Sequence, residues 1–303
     1  MSEMLTIGIL NSMPEAAIRS TERQFAQVLL NAAIPDVPLR LRWYSLHPRD
    51  RYLSVNELWR GDPVDGLIVT GTEPRARLLR DEPYWDSIAR TIEWATTNTV
   101  STFWSCLAAH AAVLQLDGVE RRALPDKLCG VFETETVEDH PILANMNGSW
   151  GVPHSRFNDL SPSSLSSRGY RLLTLSTRAG VDIFVKGFRR SLFVFSQGHL
   201  EYDARALMRE YRRDVLRFVA GERDRYPDVP THYFDDKTVR GLEALRERAL
   251  RERNPDVMVD LQVLVGKAEL SGPWEPIAVR LYRNWLGLLI AERASHALSQ
   301  VVL

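Results

Sequence analysis

The stretch Asn98-Thr-Val-Ser-Thr-Phe-Trp-Ser-Cys106-Leu-Ala-Ala-His-Ala-Ala-Val-Leu-Gln115 joins two segments of different character. Its first half, Val100 to Trp104, is short, β-branched and aromatic, which predicts a buried strand. Its second half, Leu107 to Leu116, is rich in Ala and Leu on nearly all sides, which predicts a buried helix. Cys106 falls at the junction, where the unpaired N–H groups and dipole of a helix N-terminus favour a thiolate and can hold an oxyanion. The other interpretation of Cys106 is a small buried residue without a reactive role.

The composition is that of an ordinary globular protein and argues against several functional classes. The chain has 303 residues, of which 45% are apolar and 25% charged, and a formal net charge of −1. This balance gives no electrostatic argument for nucleic-acid binding. No apolar run approaches the roughly 18 residues that would span a bilayer, and no signal-peptide pattern opens the sequence. Two cysteines allow at most one disulfide, so we expect a cytoplasmic protein without nucleic-acid or membrane partners.

Strand and helix patterns alternate from the N-terminus to Gln115. Strands are predicted at Leu5–Leu10, Leu39–Tyr44 and Asp65–Gly71, and helices after a capping box at Thr21–Gln24 and over Trp85–Ala95. This order predicts an α/β fold with a doubly wound, mainly parallel sheet of the flavodoxin type. In such sheets the site lies beyond the carboxyl ends of the strands. Three predicted loops or turns lie at such ends: Asn11–Glu15, Gly71–Arg75 and Cys106.

The remainder of the chain is less periodic. A strand is predicted at Lys127–Glu135, a polar ligand-contacting loop at Trp150–Arg156, a β meander at Tyr170–Ser196, and helices at Ala204–Phe218, Leu242–Arg253 and Trp274–Leu289. The helix Leu242–Arg253 is highly charged and is predicted to be exposed. No clear linker interrupts the sequence. We therefore expect a single domain over residues 1–303, in which 237–273 is a charged, insertion-like segment.

His199 and Glu201 close the last strand of the predicted meander, as Cys106 closes its own strand. In an extended His-x-Glu segment both side chains point the same way, so the carboxylate can hold the imidazole while the ring faces a thiol. Cys106, His199 and Glu201 then provide a nucleophile, a base and an orienting group. The alternative is that His199 is a surface histidine unrelated to Cys106.

Several short motifs follow one another along the chain: Asn11-Ser-Met-Pro, Thr21-Glu-Arg-Gln, Ser101-Thr-Phe-Trp-Ser-Cys106, Lys127-Leu-Cys-Gly-Val, Pro153-His-Ser-Arg and Gly198-His-Leu-Glu-Tyr-Asp. In this order they resemble the homoserine O-succinyltransferase/O-acetyltransferase family, relatives of class I glutamine amidotransferases. The resemblance runs from Leu5 to Asp236 and resumes over Trp274–Leu289. It implies a class I glutamine amidotransferase-like fold, a role in methionine biosynthesis and a homodimer.

The resemblance also implies roles for individual residues. Cys106 would take the acyl group from acyl-CoA as a thioester, His199 would act as general base, and Glu201 would orient it. The residues that match substrate-binding positions are Lys127, Ser155 and Arg213, and those that match the acceptor pocket are Glu210 and Arg156. Arg213 and Glu210 lie three apart on one helix face, as an amino-acid acceptor with a carboxylate and an ammonium group requires. Acyl-CoA is a co-substrate, and neither a bound cofactor nor a metal is expected.

Three positions depart from the family pattern. Glu15 stands where a lysine is usual, and Arg19 is a candidate substitute for that lysine. His110 replaces a common glutamine and is expected to be a replacement on a helix face. Arg75 occupies the position tied to acyl choice, where glycine or glutamate is usual. If Arg75 faces the acyl pocket, its guanidinium favours a donor with a terminal carboxylate, hence succinyl-CoA over acetyl-CoA.

Three functions stay open at this point. The first is a ping-pong O-acyltransferase that uses homoserine or another hydroxy amino acid such as serine. The second is a glutamine amidotransferase-like hydrolase, which the lack of glycines around Cys106 and of an attached synthetase domain disfavours. The third is a binding protein without catalysis, which the intact Cys106, His199 and Glu201 disfavour. We expect the first.

Overall fold

The computed structural model describes residues 4–272 and 274–301, with side chains up to residue 295. Its strands are β1 (Leu5–Leu10), β2 (Leu39–Ser45), β3 (Leu53–Ser54), β4 (Gly66–Val69), β5 (Ser101–Ser105), β6 (Arg122–Thr136), β7 (Ser149–Asp159), β8 (Arg171–Leu172), β9 (Thr174–Ser176), β10 (Gly180–Val181), β11 (Ile183–Phe188) and β12 (Ser191–Ser196). Its helices are α1 (Glu15–Ala32), α2 (Val55–Trp59), α3 (Trp85–Asn98), α4 (Leu107–Asp117), α5 (Pro162–Ser167), α6 (Ala206–Val219), α7 (Asp236–Arg251), α8 (Val257–Gly266) and α9 (Glu275–Val301). The ends of the predicted domain, 1–3 and 302–303, and residue 273 of the charged segment lie outside the described residues.

The main sheet has the strand order β3-β2-β1-β4-β5-β12-β11-β8. Neighbouring strands from β3 to β12 are parallel, and β11 and β8 are added antiparallel. Core residues of β1, β4 and β5 divide between two clusters, one packed with α1 and α9 and the other with α3 and α4. Helices therefore cover both faces of the sheet, and the predicted α/β fold with a mainly parallel sheet is confirmed.

The central strand β5 is held by aromatic residues of the C-terminal helix α9. Tyr282 stacks on Phe103 with ring centroids 5.2 Å apart, and the indole nitrogen of Trp285 donates to Ser101 Oγ at 2.9 Å. Trp285 and Leu289 are fully buried, as predicted from the sequence. The last part of the chain thus fixes the strand that leads into Cys106.

A second sheet, with the order β10-β9-β6-β7, covers the site end of the molecule. The prediction of a loop at Trp150–Arg156 is wrong, because this segment lies within β7 and pairs antiparallel with β6, as in the register Gly130↔His154. The polar side chains of this strand line the cavity or contact buried partners, so their polarity did not indicate a loop. The predicted meander returns to the main sheet through β8, β11 and β12, while β9 and β10 join the second sheet.

The first helix begins earlier than the predicted capping box. α1 starts at Glu15 after Pro14, and Ala17 N donates to Pro14 O at 2.8 Å. A proline fits here because its fixed φ is compatible with a helix start and no N–H is required from it. Thr21 lies in the middle of α1, where its hydroxyl donates to Ala17 O at 3.0 Å, so it is not a cap.

The charged segment 237–273 forms two helices, α7 and α8, in its described part. The prediction of an exposed helix over Leu242–Arg253 holds only for one face, because Leu242, Leu245 and Ala249 are buried in the same cluster as β1 and α9. Their spacing of three and four residues gives α7 an apolar stripe that the high charge content concealed. Among the described helices, none is both long and apolar enough to cross a membrane.

The contact between β4 and α9 generates a stability prediction. A Cβ on Gly66 would lie 2.7 Å from Leu289 Cδ1 and 2.9 Å from Trp285 Cη2. Gly66→Ala therefore overpacks a fully buried interface and should lower the free energy of unfolding by about 1–3 kcal/mol. Chemical denaturation measures this value. Gly187→Ala, at a site with no heavy atom within 4 Å of the new Cβ, is the matched control and should stay within about 0.5 kcal/mol of wild type. Equal effects of the two substitutions would contradict the packing argument.

Candidate active site

Cys106 forms a sharp turn between β5 and α4. Its backbone has φ 51° and ψ −112°, a conformation that a non-glycine residue rarely adopts and that costs of order 1–3 kcal/mol. Such strain at a strand-to-helix turn is typical of a nucleophile that is presented at the end of a sheet. The N–H of Cys106 donates to Ser196 O at 2.8 Å, which ties the turn to the end of the neighbouring strand β12.

His199 and Glu201 follow β12 in a turn rather than within an extended strand. The predicted pairing is nevertheless present, with His199 Nδ1 at 2.8 Å from Glu201 Oε1, and both residues are buried. Burial alone would lower the pKa of His199, but the charges of Cys106 and Glu201 and hydrogen bonds to them outweigh it and raise this pKa well above its usual range. The imidazole is therefore held as an imidazolium that donates to Glu201 and faces Cys106.

The backbone next to Cys106 forms one wall of the site. The N–H of Leu107 opens α4 and has no acceptor within the helix, so it can donate to a negative oxygen beside Cys106. Gly71, just after the end of β4, lies against this turn, because a Cβ on Gly71 would be 3.1 Å from Leu107 N and 3.3 Å from Ser105 O. A glycine at position 71 thus leaves room for a substrate carbonyl over the helix start.

A cluster of charged groups lies across from Cys106. Lys127 Nζ donates to Asp214 Oδ2 at 2.8 Å and lies 3.5 Å from Glu210 Oε2, which also accepts from the Ser155 hydroxyl. Arg213 Nη2 donates to Asp214 Oδ1 at 3.1 Å. Burial would raise the pKa of Glu210, but Lys127 and its hydrogen bonds lower it below the usual range, so the group is an anion. Anion and cation therefore stand side by side, as an amino-acid ligand requires.

Tyr202 connects the two parts of the site. Its ring stacks on the His199 imidazole with centroids 4.3 Å apart and an interplanar angle of 14°, and its hydroxyl donates to Glu210 Oε1. Trp274 Nε1 donates to Tyr202 O at 2.7 Å and fixes this residue from behind. A change at Glu210 is therefore transmitted to the ring that packs against His199.

One cavity of about 500 Å³ contains both parts of the site. Its size is typical of a small-molecule site. Glu73 and Arg217 form an ion pair at 2.6 Å within its lining, which also includes the half-exposed Phe157. The structure brings together in this lining all but one of the predicted site residues: Cys106, Lys127, Ser155, Arg156, His199, Glu201, Glu210 and Arg213.

Arg156 lines the cavity, and its guanidinium is held by buried partners. Its side chain is only 3% exposed, and its guanidinium donates to Asp159 Oδ1 at 3.0 Å and to the carbonyls of Asn158 and Ala179. Its Nε also approaches His154 Nδ1 at 3.3 Å. These contacts show that Arg156 braces the end of β7 from within.

Two of the three departures from the family pattern are exposed and one is buried. Arg75 is exposed and lies outside the cavity lining, and its backbone N–H donates to the buried Glu82 Oε1 at 2.7 Å. Glu15 is exposed as well, 3.9 Å from Arg49 Nε. His110 instead lies in the cavity wall, fully buried, with Nε2 2.9 Å from Gln197 Oε1. Burial lowers the pKa of His110 to about 3, so it is neutral.

Sequence reasoning missed several groups of the site. Asp214 lies one helical turn after Glu210, and this i,i+4 spacing was a usable signal. Tyr202 lies three residues after His199 within a motif already quoted, but nothing in its type indicated a stacking role. Gly71 was placed at a strand end without a function. Among the described residues, no group of three or more His, Cys, Asp or Glu side chains is arranged to hold a metal ion.

Comparisons with known proteins assign the chain to a family. The sequence model of homoserine O-succinyltransferase matches residues 2–296. The homoserine O-succinyltransferase of Rhodopseudomonas palustris is 45% identical over 96% of this chain and 90% of its own length. That of Methylorubrum extorquens is 43% identical over 94% of this chain and 87% of its own length.

Solved structures agree with the fold. A glutamine amidotransferase from Methylobacillus flagellatus superposes with a TM-score of 0.53 at 15% identity and covers 95% of this chain and 96% of its own. A glutamine amidotransferase from Thermotoga maritima gives a TM-score of 0.52 at 13% identity, with coverage of 95% and 99%. The chain belongs to the homoserine O-succinyltransferase family. The predicted family, its acyltransferase class and the glutamine amidotransferase-like fold are confirmed.

The buried His199–Glu201 contact generates a pH prediction. Glu201 raises the pKa of His199, so Glu201→Gln lowers it while the shape of the site is retained. The limb of the kcat/KM profile that reports His199 should therefore move to lower pH in the variant. Glu73→Gln, which alters another carboxylate of the same cavity, is the control and should leave that limb in place. If the His199 limb of the kcat/KM profile stays at its wild-type pH in both variants, Glu201 does not raise the pKa of His199.

Proposed function

We propose that the protein transfers an acyl group from acyl-CoA to the hydroxyl of homoserine through a thioester on Cys106, with ping-pong kinetics. The observation that carries this proposal is the strained turn at Cys106 facing the buried His199–Glu201 pair. Close relatives named homoserine O-succinyltransferase support homoserine as the acceptor and succinyl-CoA as the donor. The reason first given for succinyl-CoA, an inward-facing Arg75, has no support in the exposed position of that side chain.

The first half-reaction charges Cys106. Its thiolate attacks the thioester carbonyl of acyl-CoA, and the N–H of Leu107 donates to the oxyanion that forms. The carbon–sulfur bond to CoA then breaks as the His199 imidazolium gives its proton to the departing thiolate. The raised pKa of His199 supports this order, because the ring already carries the proton that the leaving group needs.

The second half-reaction removes the acyl group from Cys106. Neutral His199 takes the proton of the acceptor hydroxyl, whose oxygen attacks the carbonyl of the thioester on Cys106. The carbon–sulfur bond breaks, Cys106 leaves as a thiolate, and the imidazolium is restored beside it. Glu201 keeps the ring oriented through both steps, since its contact with Nδ1 leaves Nε2 to face the sulfur and the substrates.

The charged cluster is suited to an amino-acid acceptor. Glu210 offers an anion for the ammonium group, and Arg213, with a half-exposed guanidinium, offers a fork for the carboxylate. Lys127 and Asp214 add one positive and one negative charge to this pair. The four groups together therefore carry no net charge in a place that is largely shielded from solvent, where an uncompensated charge would be costly. The protein therefore acts on small molecules, and we propose a homodimer by analogy with the family.

A covalent intermediate tests the mechanism directly. Incubation with succinyl-CoA and no acceptor should add one succinyl mass to the peptide that contains Cys106. Cys129 is the internal control, because burial raises its pKa to about 12 and keeps it a thiol. Addition of homoserine should remove the mass. A label on Cys129, or full turnover by Cys106→Ser, would refute the assignment. Acyl transfer to serine but not homoserine would retain the mechanism and replace the acceptor.

Arg213→Lys tests the acceptor site. A point charge does not reproduce a bidentate guanidinium fork, so the KM for homoserine should rise roughly tenfold or more. Acylation of Cys106 by the donor should keep its wild-type rate. Arg209→Lys, on the same helix but paired with Asp203 outside the cavity lining, is the matched control and should alter neither value. An acylation defect as large as the KM effect would mean that Arg213 binds CoA or is structural.

A further inference from the structure

All but one of the lysine and arginine side chains in the described cavity lining form ion pairs. The carboxylate partners are Asp214 for Lys127, Arg213 and Arg223, Asp159 for Arg156, and Glu73 for Arg217. Arg121 lies in the same lining, and within the described part of the chain no carboxylate is at ion-pair distance from it. The cavity thus contains one cation whose counter-charge is not supplied by its own side chains.

The hydrogen bonds of Arg121 are also incomplete. It lies between the left-handed Gly118, which caps the end of α4, and the start of β6. Its side chain is partly buried and Nη2 donates to Arg77 O at 3.3 Å. Nη1 is shielded from solvent and has no acceptor among the described residues. A shielded, unpaired guanidinium nitrogen is costly, and a ligand carboxylate would remove that cost.

Arg121 lines the same cavity as Cys106. Burial lowers the pKa of its guanidinium, while the charges of Tyr84, Glu82 and Cys106 act in the opposite direction. Glu82 is a buried carboxylate outside the lining; its Oε1 accepts from the N–H groups of Arg75 and Ala76 at 2.7 and 2.8 Å, and its Oε2 has no hydrogen-bond partner among the described residues. Glu82 thus holds the 75–76 loop and acts on Arg121 through its charge, without a hydrogen bond or ion pair to the guanidinium.

We propose that Arg121 binds the terminal carboxylate of the donor acyl group and so selects a dicarboxylic monothioester over a neutral acyl thioester. This inference rests on the proposed function. In a succinyl thioester only two methylene groups separate the reacting carbonyl from the carboxylate, so the carboxylate of a donor held at Cys106 stays in the cavity whose lining includes Arg121. The planar fork of a guanidinium fits a carboxylate with two parallel hydrogen bonds, which acetyl or butyryl groups cannot accept.

The experiment compares two donors of equal chain length, succinyl-CoA and butyryl-CoA, by the rate of CoA release with homoserine as acceptor. Arg121→Gln should lower kcat/KM for succinyl-CoA roughly 10- to 100-fold and leave the value for butyryl-CoA unchanged or higher. Arg121→Lys keeps the charge without the fork and should lie between wild type and Arg121→Gln. Arg75→Gln is the matched control, because Arg75 is exposed outside the lining, and should leave the donor ratio at its wild-type value.

The outcomes separate this inference from the function on which it rests. An equal loss with both donors would make Arg121 a structural residue, and an unchanged donor ratio in Arg121→Gln would place the carboxylate elsewhere. Either result overturns the inference while wild type still uses succinyl-CoA. If wild type prefers butyryl-CoA or acetyl-CoA to succinyl-CoA, the proposed donor itself is wrong. Thermal unfolding of Arg121→Gln shows whether a loss of activity accompanies a loss of fold.

Discussion

The parallel pairing of β5 with β12 is the constraint on which the site depends. The register Ser105↔Ser196 brings the ends of the two strands level, and the N–H of Cys106 donates to Ser196 O across the gap. The nucleophile turn and the turn that carries His199 are therefore held by backbone hydrogen bonds, not by side-chain contacts alone. Backbone pairing in a fully buried strand is the most rigid support that a catalytic group can have. The stacking of α9 on β5 adds to it from the opposite end of the sequence.

Charge balance is the second constraint. Ionised groups crowd one largely desolvated cavity, where an unpaired charge is expensive. The His199 imidazolium faces Glu201, and Glu210 and Asp214 face Lys127 and Arg213. Tyr202 links these two groups of charges through its stack on His199 and its hydrogen bond to Glu210. In the mechanism we propose, binding of an acceptor at Glu210 is thus coupled to the position of His199, the base that deprotonates it. Among the lysines and arginines of the described lining, Arg121 alone has no ion-pair partner, which is why we assign it a ligand.

Much of this architecture could be predicted from local sequence patterns. The change from a β-branched run to an Ala/Leu run located the turn at Cys106, and His199-Leu-Glu201 predicted the buried histidine–glutamate contact. Patterns failed where tertiary context decides. Trp150–Arg156 is a strand because β6 pairs with it, although its composition is typical of a loop. Arg75 is exposed in a loop whose backbone N–H groups donate to the buried Glu82, a contact seven residues away in sequence. No sequence pattern distinguishes Arg121 from the other arginines, because only the folded cavity shows which cation lacks an ion-pair partner.

The central claim is that folded protein holds a protonated His199 between Cys106 and Glu201. Imidazole nitrogen NMR of the acceptor-free, donor-free protein, with His199 identified by comparison with His199→Gln, measures the protonation state directly as pH is raised. The account predicts that His199 keeps both nitrogen protons through neutral pH and titrates well above the ordinary imidazole pKa of about 6.5. A His199 signal that titrates at or below the ordinary value would contradict the charged pair and the order of proton transfers built on it.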